Sequence, residues 1–122
     1  MPFLDLLTNV KLENPQLKSF LLDFSKAGAE ILDKPESYIS VCYTFNDTLT
    51  FNGNFDPAFQ LRVTSLNNVN AESNEKYTVA FTKFLKDKLG LADDRGYIAF
   101  NDPGMAFVGH KNTTFATIFA KK

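Results

Sequence analysis

The sequence predicts an α+β fold of two layers, in which a β-α-β unit occurs twice and builds a four-stranded sheet with both helices on one face. Three observations lead there. Two segments carry apolar residues at helical spacing. Each is flanked by short runs of β-branched and aromatic residues. The text after each helical segment also repeats: Leu32 is followed by Tyr38-Ile39-Ser40 and Leu91 by Tyr97-Ile98-Ala99, with corresponding residues 59 apart in both cases. A strand-helix-strand crossover within one sheet makes its two strands parallel and the connection right-handed.

Pro2 to Leu7 is a short apolar run and reads as the first strand. Asn14 to Leu32 reads as a helix, with Asn14 as its cap and Pro15 at the first helical position, where a missing N–H costs nothing. Leu17, Phe20, Leu21, Phe24, Ala27, Gly28, Ile31 and Leu32 share one face. Tyr38 to Phe45 reads as a strand, and Leu49 to Phe51 as a shorter one ending at the turn signal Asn52-Gly53. Phe59 to Ser65 is the third main strand. The second helix covers Ala71 to Leu89, with Asn70 or Ser73 as cap and Gly90 as a left-handed stop. Its apolar face comprises Tyr77, Ala80, Phe81, Phe84, Leu85 and Leu89. Gly96 to Asn101 is the fourth main strand; Phe107-Val108 and Thr114 to Phe119 are read as short extra edge strands. One sheet face then lacks a helix cover. Phe3, Tyr38, Val41, Tyr43 and Phe45 are its apolar candidates, and an exposed apolar face of this kind favours self-association.

The chain's 122 residues suit one domain over 1–122. Lys and Arg number 13 against 14 Asp and Glu, and this balance argues against a nucleic-acid partner. No apolar run approaches the roughly 20 residues of a membrane span, so no membrane partner is expected. The opening Met-Pro-Phe-Leu-Asp lacks the basic start and long apolar core of a signal peptide, and a cytoplasmic location follows as the default. The sequons Asn46-Asp47-Thr48 and Asn112-Thr113-Thr114 are expected to go unused there.

Familiar catalytic patterns are missing. Cys42 is the one cysteine, so neither an intramolecular disulfide nor Cys-x-x-Cys chemistry is available. His110 is the one histidine, and nothing near it completes a triad or a metal site; it reads as a partly exposed loop or strand residue. No cofactor and no metal is expected. Pro2 has two readings. It begins a strand, where its missing N–H is harmless. Alternatively, removal of Met1 exposes it as a secondary amine, which burial and a nearby cation would hold neutral near pH 7. A rigid neutral amine can take a proton from carbon and return it.

Several segments resemble the family of macrophage migration inhibitory factor and D-dopachrome tautomerase. They are Pro2-Phe3-Leu4-Asp5-Leu6 with Thr8-Asn9, Lys34-Pro35 with Tyr38-Ile39, Asp94-Arg95 with Tyr97-Ile98, and Val108-Gly109 with Asn112-Thr113-Thr114-Phe115-Ala116. They stand in the family's order, with about one net insertion before Lys34. The resemblance implies a homotrimer with sites at subunit boundaries, and keto-enol tautomerisation of phenylpyruvate-like or dopachrome-like substrates. It implies Pro2 as the catalytic base and Lys34 as the holder of the substrate carboxylate. Leu66 is implied to assist through its backbone, Tyr97 to come from the neighbouring subunit, and Phe3, Val108 and Phe115 to form apolar walls. The partner so implied is a small aromatic 2-keto acid. The alternative is a cytokine-like ligand for a protein receptor, secreted without a signal peptide.

The bland readings stay beside these: Lys34 complements a helix C-terminus, and Tyr97, Phe3 and Phe115 pack. There are also departures from the family pattern. Ala99 stands in place of an asparagine and His110 in place of a tryptophan. Ala58-Phe59-Gln60-Leu61 replaces a Cys-x-x-Cys segment, so thiol oxidoreductase activity is not expected. The chain runs on through Thr117 to Lys122 with no assigned role.

Overall fold

A computed structural model describes residues 1–120; Lys121 and Lys122 lie outside the described residues. The main strands are β1 (Pro2–Thr8), β2 (Ser40–Phe45), β3 (Phe59–Ser65) and β4 (Gly96–Asn101), and the two long helices are α1 (Gln16–Leu32) and α2 (Ala71–Leu89). The four strands form one sheet in the order β2-β1-β3-β4. β1 runs parallel to β2 and β3 parallel to β4, while β1 and β3 are antiparallel. The chain is therefore β1-α1-β2 followed by β3-α2-β4, as the repeat predicts.

Strand alternation sorts the side chains. Leu4 and Leu6 of β1, and Phe59, Leu61 and Val63 of β3, point to the helix side and are buried. They meet Phe20, Phe24 and Leu32 of α1 and Phe81 and Leu85 of α2 in one core. Between the helices the rings interlock: Phe24 stacks on Phe84 at 5.2 Å and meets Phe81 edge-on at 6.3 Å. Each such buried side chain stabilises by about 1.5–3 kcal/mol, and the ring geometry adds about 0.5–1.5 kcal/mol per pair.

The helix ends differ from one another. Asn70 caps α2 by accepting from the Ser73 N–H at 2.8 Å. Gly90 ends α2 in the left-handed region at φ 69°, with Leu91 N–H donating back to the Leu85 carbonyl at 3.4 Å. Asn14 does not cap α1. Pro15 occupies the cap position, and the helix begins at Gln16 with no side-chain cap. The carbonyl of Glu13 accepts from Leu17 N–H at 2.9 Å and that of Pro15 from Ser19 N–H at 3.1 Å, so backbone acceptors replace the asparagine.

Several expectations need correction. Tyr38 lies in a 3-10 turn, Glu36–Tyr38, and the strand starts two residues later at Ser40. Val41, Tyr43 and Phe45 are not on the bare face. They register with Leu4, Leu6 and Thr8, which are buried on the helix side; side chains directly opposite in a sheet share a face. The bare face instead carries Phe3, Asp5 and Leu7, flanked by Ser40, Cys42 and Thr44 on β2 and by Thr64, Arg62 and Gln60 on β3. It is mixed rather than apolar. Leu49 to Phe51 forms no strand, only a bridge from Phe51 to Asn54 across the Asn52-Gly53 turn. Side chains occupy its carbonyls: Asn9 donates to Leu49 at 3.1 Å and Arg95 to Phe51 at 3.1 Å.

The C-terminal segment differs most. Phe107 ends a 3-10 turn, Met105–Phe107, and the short strands are β5 (Gly109–His110) and β6 (Thr113–Thr114), paired antiparallel. Phe115–Ala120 is a helix, α3, where the sequence reading places a strand over Thr114 to Phe119. A strand would set Phe115 and Phe119 about 13 Å apart. The helical turn brings their ring centroids to 5.3 Å, and that contact is available to no extended form.

Gly96 shows how tightly β4 is fitted. A Cβ there would lie 2.3 Å from the Phe59 carbonyl oxygen and 2.6 Å from its ring. Gly96→Ala is expected to lose about 1–3 kcal/mol of stability, measured by chemical denaturation; an unchanged midpoint would show that β4 can shift freely.

Candidate active site

The N-terminus of β1 sits inside the sheet, not at its edge, because β1 has β2 on one side and β3 on the other. Pro2 registers with Ser65, and its side chain is fully buried. Two adjoining cavities open at this point and share Met1. One, of about 330 Å³, is lined by Pro2, Phe3, Tyr38, Val108, His110 and Phe115 among others. The other, of about 390 Å³, is lined by Lys34, Leu66, Asn67, Met105 and Phe119.

Lys34 reaches the second cavity because of how α1 ends. Asp33 takes the left-handed conformation at φ 52°, and Lys34 N–H donates back to the Ala29 carbonyl at 3.0 Å. Aspartate tolerates this region better than most side chains. The reversal turns Lys34 away from the helix axis, and its Nζ donates to the Leu66 carbonyl at 3.2 Å.

The loop that offers this carbonyl is clamped from several sides. Asn68 donates to the Leu32 carbonyl at 3.0 Å and accepts from Ser65 Oγ at 2.6 Å, while its own carbonyl accepts from Tyr77 at 2.9 Å. Asn67, at φ 68°, donates its backbone N–H to Asp102 at 2.9 Å. Asp102 also accepts from Gly104 N–H at 2.9 Å, tying this loop to the turn that carries Met105.

The other cavity has an aromatic wall. His110 stacks on Phe115 with centroids 5.5 Å apart and planes 4° apart, and Tyr38 meets both rings edge-on. Val108 accepts a backbone hydrogen bond from Phe115 at 3.0 Å, which draws the start of α3 onto the cavity.

The N-terminal amine, carried here by Met1, has its pKa lowered from the ordinary value, first by burial and then by the positive charge of Lys34. Both act in one direction, since each disfavours an ammonium. The amine is therefore neutral over more of the range near pH 7 than a free chain end. Among the described residues, no group of His, Cys, Asp and Glu is placed to hold a metal ion.

Six of the residues expected at a site thus come together: Pro2, Phe3, Val108 and Phe115 around one cavity, Lys34 and Leu66 around the other. Tyr97 does not join them. It is 72% exposed, rests against Phe51 at 5.4 Å, and registers with Gln60, five positions along β3 from Ser65. That places it about 17 Å away along the strands. Ala99 lies on the same bare face, opposite Arg62. His110 is exposed in β5 as expected, yet it also lines the Pro2 cavity. Sequence reasoning passed over Tyr38, Asn67, Met105 and Phe119 as cavity residues. Only Phe119, four positions after Phe115, offered a signal, and reading that segment as a strand hid it.

A two-layer α+β sheet with its chain start buried in a cleft beside a lysine defines a recognisable class of protein. The comparisons agree. The family model of macrophage migration inhibitory factor (MIF) matches residues 1–116. The chain belongs to the macrophage migration inhibitory factor family. Among curated relatives, a macrophage migration inhibitory factor homolog of Trichuris trichiura is 37% identical over 115 residues, covering 94% of this chain and all of that one. The D-dopachrome decarboxylase of Mus musculus is 36% identical over 115 residues, covering 93% and 96%. Among solved structures, the homologue from Prochlorococcus marinus superposes with a TM-score of 0.84 at 26% identity, covering 93% of this chain and 98% of that one. The factor from Trichinella spiralis gives 0.83 at 28% identity, with 92% and 98% covered.

Replacing Lys34 with methionine removes the smaller cause of the amine's depression and leaves the burial. The N-terminal pKa is expected to rise but stay below that of a free peptide, as read by pH titration of an isotope-labelled N-terminal residue. No change would mean that burial acts alone.

Proposed function

We propose that this chain is a keto-enol tautomerase of small aromatic 2-keto acids, phenylpyruvate-like or dopachrome-like, with Pro2 as its base after Met1 is removed. The observation that carries this reading is the chain terminus set in a cleft beside Lys34, where burial and then the lysine charge hold the Met1 amine below its ordinary pKa and would act alike on Pro2 once Met1 is removed. Membership of the family and the relative named as a D-dopachrome decarboxylase support it.

In the keto form, the carboxylate pairs with Lys34, whose two remaining N–H donors supplement the one given to Leu66. The Pro2 nitrogen takes the proton from carbon 3. The electron pair left behind forms the C2–C3 double bond as the C2–O π bond breaks toward oxygen, which takes a proton from solvent, and the Pro2 ammonium then releases its own proton to solvent. In the reverse direction the protonated amine returns the proton to carbon 3. A basicity near the working pH suits both steps, and such help is worth about 10²–10⁴-fold. Phe3, Val108 and Phe115 keep the ring away from water. The lateral distance of Tyr97 from the cleft fits its arrival from a neighbouring copy, so the reading includes a homotrimer in which the far end of one sheet completes the site of the next.

A second reading is favoured by the factor names of the relatives: a protein ligand for a receptor, with little turnover. Receptor binding that survives Pro2→Gly in a chain without turnover would favour it.

Inserting one alanine between Met1 and Pro2 blocks the Pro2 nitrogen within a peptide bond. Tautomerisation of phenylpyruvate is expected to fall by about 10²–10⁴-fold, with melting temperature and oligomer size unchanged. Intact mass reports whether the parent has lost Met1. Full activity in the inserted variant would refute Pro2 as base.

A further inference from the structure

Phe119 lies beyond residue 116, where the match to the family model ends, yet it lines the Lys34 cavity. Its position is set by its helix. Phe115 is buried and anchors the first turn of α3, and residues four apart on a helix stand over one another. The ring of Phe119 therefore rests on that of Phe115, with centroids 5.3 Å apart and planes 35° apart. Phe115 is in turn stacked on His110. These three rings form a continuous row that begins in the cavity of Pro2 and ends in the cavity of Lys34. On the tautomerase reading, a ligand with its carboxylate on Lys34 and its reacting carbon near the chain terminus spans the two cavities that this row joins.

We propose that Phe119 is a specificity-determining residue, which selects a planar aryl group over a saturated ring of similar bulk in the ligand held by Lys34. The inference rests on the tautomerase reading for its substrate class. Its physical basis is that offset or edge-on aromatic contacts add stabilisation beyond the area buried, which a puckered ring does not obtain. Met105 is a second apolar lining residue of the same cavity, but its flexible thioether adapts to either ring shape. Within the Lys34 cavity, the aromatic share of the preference therefore falls to Phe119.

The test compares the parent chain with Phe119→Ala and Phe119→Tyr. Turnover is followed with phenylpyruvate and with its cyclohexyl counterpart. Binding of the inert acids phenylacetate and cyclohexylacetate is measured in parallel by NMR titration. The expected result is an aryl preference in the parent that falls up to about tenfold in Phe119→Ala, through KM and Kd rather than kcat, and is kept in Phe119→Tyr. An aryl-to-cyclohexyl ratio unchanged in Phe119→Ala, or equally reduced in Phe119→Tyr, overturns the inference while the tautomerase reading stands. A parent that binds phenylacetate but turns over neither keto acid overturns the tautomerase reading, and the binding ratio still decides the role of Phe119. A parent that neither binds nor turns over these acids overturns both.

Discussion

The pairing of β1 with β3 is the constraint on which the molecule depends. It runs antiparallel from Pro2 opposite Ser65 to Thr8 opposite Phe59. With β2 bonded to its other side, β1 is a central strand, although it is the first segment of the chain. Chain ends are ordinarily loose; here a ladder on both sides holds the end in place. A proline suits the first position, where its missing N–H leaves no gap in the ladder. The same register carries Leu4 and Leu6 into the core, so a slip of one residue would expose them and displace the terminus together.

From that fixed point the cleft is assembled by short-range chemistry. The loop after β3 turns back over Lys34, and its polar groups are joined to α1 through Asn68, to α2 through Tyr77 and to the end of β4 through Asp102. Each hydrogen bond is worth only about 0.5–1.5 kcal/mol net. Their shared effect is to hold one carbonyl, that of Leu66, where the lysine can reach it. Burial first, and then the cation kept close to it, disfavour the charged form of the terminal amine, and the cost appears as the lowered pKa of the terminus. The strain between two positive groups is therefore tied to the chemistry proposed for the site, since a carboxylate relieves it and a neutral amine can act as a base.

The opposite end of the sheet is built differently. Arg95 threads the turn after Phe51, donating to Phe51, Asn54, Asp56 and Pro57. Its guanidinium also lies over the Phe51 ring at 5.2 Å. This brace presents Tyr97 and Phe55 to solvent on a stiff support. Aromatic residues held rigidly at a surface lose little freedom on contact with a partner, which suits the role proposed for Tyr97 at a neighbouring subunit.

The main strands and long helices were legible because their signals are local. Period and capping chemistry placed β3, β4 and α2 at their observed limits, and the Asn52-Gly53 turn and the Gly90 stop need no distant partner. Conversely, the face on which Val41 and Tyr43 lie depends on which residue of β1 stands opposite, and alternation within β2 is compatible with either choice. Leu49 to Phe51 lost its strand to two side chains from elsewhere in the chain. Phe115–Ala120 became a helix because one ring could then rest on another already anchored in the cleft. Local sequence thus determined the main strands and the long helices, and the family resemblance pointed to Pro2 and Lys34 as candidate residues. Tertiary structure alone decided which side chains share a cavity, because it joins residues as distant in the chain as Pro2 and Phe115 or Lys34 and Leu66, and no periodicity extends across such separations.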